Sequence, residues 1–128
     1  MTLERPRCIV EAGPPSTGTP SGGPEVEAIL ARLGFGRGSE TPAVRVVEAI
    51  PSHAGFGSGT QLALAVALAA ARAAGRSIPI RELARELGRG QRSGIGVAAF
   101  ERGGLVIDAG HRADESAPTA IDAEEPRR

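Results

Sequence analysis

Residues 60–74 are the segment that most constrains how this chain can fold. Eight of the fifteen are alanine, and only Gln61 and Arg72 are strongly polar. A helix that is apolar on nearly every side has no face to give to water. It belongs in the middle of the molecule, packed on a sheet and on neighbouring helices, with Gly75 as its C-terminal stop. Directly before it stands Pro51-Ser52-His53-Ala54-Gly55-Phe56-Gly57-Ser58-Gly59-Thr60-Gln61, and before that a run rich in β-branched residues, 43–50, that reads as a strand. Strand, glycine loop and buried helix in this order place unpaired N–H groups and a partial positive charge next to a backbone that can approach a ligand closely. An anion belongs there, most of all a phosphate or pyrophosphate, and Ser58 and Thr60 add hydroxyl donors.

The totals narrow the setting. At 128 residues the chain forms one domain with a modest core. Fifteen basic residues balance fifteen acidic ones, which argues against a nucleic-acid partner or a membrane surface recruited by bulk charge. A single cysteine, Cys8, excludes an intramolecular disulfide. No run has the flanks and length of a signal peptide or spanning helix, so the expected setting is soluble and cytoplasmic. Three Phe with no Tyr or Trp leave a core of Ala, Val, Leu and Ile, which relies on close backbone approach.

Around the central helix the expected elements are short. Residues 1–10 read as at most a short strand, with 8–10 its apolar part, and 13–24 as a Gly/Pro/Ser/Thr loop. Pro24 opens a helix whose apolar stripe is Val26, Ile29, Leu30 and Leu33, stopped by Gly34 and Gly36. Ser77 is expected to cap a helix over 80–87 with Leu83, Ala84 and Leu87 on one face, ended by Gly88 and Gly90. Residues 93–100 and 104–108 read as two strands of a β-hairpin turning at 101–103. Residues 111–128 are polar and acidic without periodicity, and read as a disordered tail. The fold class is α/β (α+β): a mixed sheet with packed helices and a glycine-rich phosphate loop before a buried helix.

With these blocks in view the chain resembles the GHMP superfamily, which comprises the galactokinase, homoserine, mevalonate and phosphomevalonate kinases and their non-kinase relatives. Their phosphate loop reads P-x-x-x-G-L-G-S-S/G, matched here from Pro51 to Gly59 with Phe56 in place of leucine. Within the superfamily the chain is most similar to the β-ribofuranosylaminobenzene 5′-phosphate synthase family, which reads G-L-G-S-G-T-Q-L-A-L-A and later G-R-G-x-R-S-G-I-G-x-x-x-F-x-x-G-G-x-x-x-D-x-G. This chain has Gly57-Ser58-Gly59-Thr60-Gln61-Leu62-Ala63-Leu64-Ala65. It then has Gly88-Arg89-Gly90-Gln91-Arg92-Ser93-Gly94-Ile95-Gly96, Phe100, Gly103-Gly104 and Asp108-Ala109-Gly110. The resemblance covers residues 44–110.

The resemblance implies a GHMP-kinase-like N-terminal domain over residues 1–110, partial, with the family's C-terminal domain missing. It implies condensation of 5-phosphoribosyl 1-pyrophosphate with 4-aminobenzoate or 4-hydroxybenzoate, releasing CO2 and pyrophosphate, in tetrahydromethanopterin biosynthesis. Mg²⁺ accompanies that chemistry, the partners are small-molecule substrates, and a homodimer stays open. As a fragment the chain is expected to turn over little or no substrate. Mevalonate-type kinases carry S-G-x-D, whose aspartate activates the substrate hydroxyl. Here Gly96 stands at that position, and glycine cannot take a proton. Two rival readings remain: an ATP-dependent GHMP small-molecule kinase, and a non-catalytic phosphate-binding module.

The candidate phosphate-binding residues are Gly55, Gly57, Ser58, Gly59, Thr60 and Arg92, and the candidate catalytic residues are Asp108 and Ser93. Each has a plainer alternative. The glycine loop is also a strand-to-helix turn with Thr60 as its cap. Arg92 and Arg89 are suited to phosphate or carboxylate through paired donors, or to water on a loop. Ser93 donates to a phosphate or caps a turn, and Asp108 binds Mg²⁺ or moves a proton, or forms a turn before Gly110. His53 reads as a structural histidine or as a general base beside the loop; Glu82 and Glu86 read as a solvated face, although the resemblance places a metal-binding glutamate near them; and Cys8 has no histidine partner. No metal ligands are assigned.

Overall fold

The computed structural model describes residues 5–15, 22–35, 41–52, 57–91 and 93–107. In chain order these hold strand β1 (Ile9–Pro15), helix α1 (Gly23–Arg32), strand β2 (Pro42–Glu48), helix α2 (Ser58–Ala73), helix α3 (Ile80–Glu86) and helix α4 (Ile95–Arg102). β1 and β2 pair antiparallel, Val10 opposite Val46 and Ala12 opposite Val44, with irregularities after Ile9 and Gly13. Where a mixed sheet was expected, the described residues form this one antiparallel pair.

α2 is the centre, as its composition requires. It touches every other described element, and its first exposed residue is Arg72 in the last turn. Ala63, Leu64, Val66, Ala67, Ala70 and Ala71 are buried along it. The small alanines let α1, α3 and the sheet come near the helix axis, and the few large side chains fill what is left. Leu64, Leu83 and Leu30 are the largest of the fully buried ones, each worth about 1.5–3 kcal/mol of transfer free energy. α1 adds Val26, Ile29 and Leu30, with Leu33 just beyond it. No charged or polar side chain is buried among the described residues.

Three helices stop in the same way. The amides of Phe35, Arg76 and Arg89 reach back to the carbonyls of Leu30, Ala71 and Ala84 at 3.0, 2.8 and 2.7 Å, with Gly34, Gly75 and Gly88 in the turn residue before each. This is the six-to-one closure that satisfies otherwise orphaned carbonyls. Two arginines then staple the stops to their neighbours. Arg32 Nη1 donates to the Leu87 carbonyl at 3.0 Å. Arg76 Nη1 donates to the Leu33 carbonyl at 3.1 Å while its guanidinium lies 5.1 Å from the Phe35 ring centre.

Four expectations are corrected. The first strand of the expected hairpin, 93–100, is instead part of a helix, α4, from 95 to 102, and of the second, 104–108, the described residues keep a single bridge at Ile107. Ile95 and Val97 favoured a strand locally, but a helix lets Val97 enter the core while Ala98 N–H bonds the Gly94 carbonyl at 2.9 Å. β1 runs on to Pro15, through what reads as the start of a loop, because Pro15 still pairs opposite Pro42. α2 begins at Ser58, two residues before Thr60. Pro79, not Ser77, precedes α3, with no side-chain cap. The expected tail, 111–128, lies outside the described residues.

Candidate phosphate-binding site

The chain enters α2 through Gly57, whose φ of 65° lies in the left-handed region that side chains disfavour. That twist turns the backbone sharply into the helix without a side-chain cap. The amides of Thr60 and Gln61 both bond the Gly57 carbonyl at 3.0 Å. Thr60 therefore offers a ligand its hydroxyl and not its amide. The amides of Ser58 and Gly59 have no acceptor among the described residues, so the positive end of α2 stays open at these two.

The second motif block folds back onto this end. The Gly88 stop, at φ 65°, carries the chain out of α3 and sets Arg89 against the first turn of α2. A methyl group placed on Gly59 would lie 3.6 Å from Arg89 Nη1. Arg89 is half-buried, and its guanidinium has no acceptor among the described residues. Beyond it, α4 starts beside the same turn: Gln61 Nε2 donates to the Gly96 carbonyl at 3.0 Å. Gly96 packs so near Thr60 that a Cβ there would be 3.1 Å from Thr60 Cγ2. Ser93 Oγ accepts from the Ile95 amide at 3.3 Å, the geometry of a turn cap, and Ser93 also lines the cleft.

Between these two blocks lies an open cleft of about 1370 Å³, lined among others by Gly57, Thr60, Gln61, Arg89, Ser93 and Gly96. A second space of about 580 Å³ lies on the other side of Arg89, against α1. The charges around the large cleft are mostly spoken for. Arg7 pairs with Glu48 at 2.9 Å, and Glu101 lies 3.2 Å from Arg81 and 3.8 Å from Arg102. Arg89 is the lining cation left without an anion among the described residues. Cys8 also reaches the cleft, and burial, with the Glu48 carboxylate adding to it, pushes its thiol above the ordinary range. A raised thiol is a weak nucleophile at neutral pH.

Of the expected site residues, Gly57, Thr60 and Ser93 line the cleft, while Ser58 and Gly59 stand in the same first turn of α2 without lining it. Gly55, Arg92, Asp108 and His53 lie outside the described residues. Glu82 and Glu86 are exposed on α3. No group of three His, Cys, Asp or Glu among the described residues could hold a metal ion, and the cleft's one described carboxylate, Glu101, is committed to arginines. The described lining therefore does not build a Mg²⁺ site. No described helix is long and apolar enough to cross a membrane. Sequence reasoning gave Gln61 no role. Its signal was present: it is the one strongly polar residue in an otherwise apolar helix before Arg72.

Residues 26–104 match the family GHMP kinases N terminal domain. The chain is similar to proteins named beta-ribofuranosylphenol 5′-phosphate synthase. The one from Archaeoglobus fulgidus is 39% identical over 121 residues, covering 90% of this chain and 38% of that protein. The one from Methanothermobacter thermautotrophicus is 55% identical over 65 residues, 51% of this chain and 20% of that protein. The one from Methanocaldococcus jannaschii is 42% identical over 74 residues, 58% and 23%. The chain thus matches well under half the length of these relatives.

Proposed function

We propose that this chain, which belongs to the GHMP kinase N-terminal domain family, is the phosphate-holding part of a synthase that joins a ribose 5-phosphate unit to a benzoate-derived ring. In that reaction 5-phosphoribosyl 1-pyrophosphate meets 4-hydroxybenzoate or 4-aminobenzoate. A C–C bond forms between ribose C1 and the ring carbon bearing the carboxylate, the C1–O bond to pyrophosphate breaks, and CO2 leaves. The phenol in the relatives' names supports 4-hydroxybenzoate. This would be a cytoplasmic step of tetrahydromethanopterin biosynthesis.

One observation carries the reading: both motif blocks converge on the open end of α2, where the Ser58 and Gly59 amides and the Arg89 guanidinium lack acceptors among the described residues. Such a cluster suits a group whose negative charge grows as a bond breaks, and a leaving pyrophosphate is that group. The two backbone amides are held by the helix before the substrate arrives, so they need not reorganise as charge develops. Thr60 adds a hydroxyl, and the Gln61–Gly96 bond holds the opposite wall at a set distance. Mg²⁺, if used, would arrive as a companion of the pyrophosphate, whose oxygens are its usual ligands. Gly96, without a side chain to take a proton, supports a synthase over a kinase of the mevalonate type.

The test is a competition. Calorimetric titration of the chain with 5-phosphoribosyl 1-pyrophosphate and with ATP should give saturable binding of the first, tighter by about tenfold or more. Preference for ATP would move the chain to the kinase reading. Heat from neither would remove the site.

A further inference from the structure

We infer that Thr60 and Gly96 are a matched pair that sets the spacing of the two cleft walls, which makes Gly96 a positioning residue for the anion although it carries no side chain. The inference rests on the proposal that a phosphate anion sits at the first turn of α2.

Glycine at position 96 is not there for its conformation. It lies in the first turn of α4 with φ outside the left-handed region, a place where alanine is the better helix former. Space is the reason. A Cβ at this position would sit 3.1 Å from Thr60 Cγ2, 3.4 Å from Thr60 Cβ and 3.7 Å from Thr60 Oγ1. The nearest of these is the methyl, and the first turns of α2 and α4 can come this close because position 96 is bare. Gln61, the next residue, closes the contact by bonding the Gly96 carbonyl at 3.0 Å. One wall of the cleft is Gly57, Thr60 and Gln61, and the other includes Ser93, Ile95 and Gly96.

What yields when a methyl is added decides the consequence. Both partners sit on helices packed against the core, and overpacked side chains shift backbone or leave their rotamers. Thr60 is β-branched and stiff about χ1. Its methyl cannot swing away without carrying the hydroxyl with it, and if Thr60 stays, the end of α2 must move from α4. Either way a shift of a few tenths of an ångström falls on the first turn of α2, which carries the Thr60 hydroxyl and the open amides. Gly96 thus acts on the site through Thr60, without touching the ligand.

The experiment is a double-mutant cycle on the full 128-residue chain, reading the Kd for inorganic pyrophosphate by calorimetry. Gly96→Ala should raise Kd about tenfold or more, while the same change made on top of Thr60→Ser should raise it less than about threefold over Thr60→Ser alone. Thr60→Ser removes Cγ2 and keeps the hydroxyl, so it makes room without deleting a donor. Val66→Ala, buried further along α2 and lining neither cavity, serves as the measure of plain destabilisation. It should lower the melting temperature and leave Kd in place. An equal penalty for Gly96→Ala in both backgrounds, or a matching loss of affinity in Val66→Ala, overturns the inference while the site itself stands. An unmodified chain that takes up no pyrophosphate overturns the site and this inference together.

Discussion

Gln61 and Gly96 stand 35 positions apart and are joined by a 3.0 Å hydrogen bond from the glutamine side-chain amide to the glycine carbonyl. The bond ties the helix that follows the glycine loop to the helix that follows the second motif block. Gln61→Leu keeps the volume and deletes the donor. It should lower stability by about 1 kcal/mol, the usual net worth of one such bond, seen as an earlier urea midpoint with an unchanged slope. No change in midpoint would mean the bond is incidental.

Arg89 makes a different prediction, because its guanidinium has no protein acceptor to lose among the described residues. Arg89→Met should leave the melting temperature in place. It should weaken pyrophosphate binding by one charge-assisted contact, about 1.5–3 kcal/mol, or roughly ten- to a hundredfold in Kd. Arg85→Gln, exposed on α3, should leave binding nearly unchanged. Equal losses from the two would reduce Arg89 to a contribution of general charge.

Legibility in the sequence differs from element to element. α2 was legible because fifteen mostly apolar residues admit one solution, a buried helix, and Gly34, Gly75 and Gly88 marked three stops where the chain does turn. That Gly57, Thr60 and Ser93 share one cleft agrees with the two motif blocks that carry the resemblance. α4 was not legible. Ser93-Gly94-Ile95-Gly96-Val97 carries strand-like β-branched residues and two glycines, and what decides for helix is the contact with Thr60, Gln61 and the core, all far away in sequence. Arg89 is not legible for the same reason: Gly59, which it lies against, stands thirty positions earlier, and no local pattern shows that.

The core predicts fragility at single positions. Leu64 is fully buried on the central helix, and Leu64→Ala should cost about 2–5 kcal/mol through lost transfer energy and the cavity left behind. Against a total stability of about 5–15 kcal/mol for an ordinary domain, circular dichroism should show a strongly lowered melting point or no cooperative melt. A shift of only a degree or two would place Leu64 outside the core.

The sheet's ion pairs should matter far less. Arg45 Nη2 sits 2.6 Å from Glu11 Oε2, yet both side chains are more than half exposed. Glu11→Gln should cost no more than about 0.2–1 kcal/mol, and the effect should fade as salt is raised. A larger loss that persists in high salt would show that the pair sets the β1–β2 register.

Cys8 gives the described residues a pH dependence. Its thiol is pushed up by burial and then by Glu48, so the folded chain holds the thiol proton more firmly than the unfolded chain does. That contribution to stability is whole below the unfolded thiol's pKa, about 8.5, and is lost as pH rises through the higher folded value. Stability should therefore decline on the alkaline side, less steeply in Cys8→Ser. Alkylation of Cys8 by iodoacetamide at pH 8 should be slower than that of a free cysteine peptide. Faster alkylation would contradict the raised pKa.

The central claim is that an oxyanion is held at the open end of α2 between the two motif blocks. Amide-resolved NMR of the isotope-labelled chain during a pyrophosphate titration tests it most directly. Saturable shifts should concentrate at Ser58, Gly59 and Gln61 and, across the cleft, at Arg89, Gly90 and Gly96. Shifts confined to other surfaces, or a titration that moves no amide in either block, would contradict it.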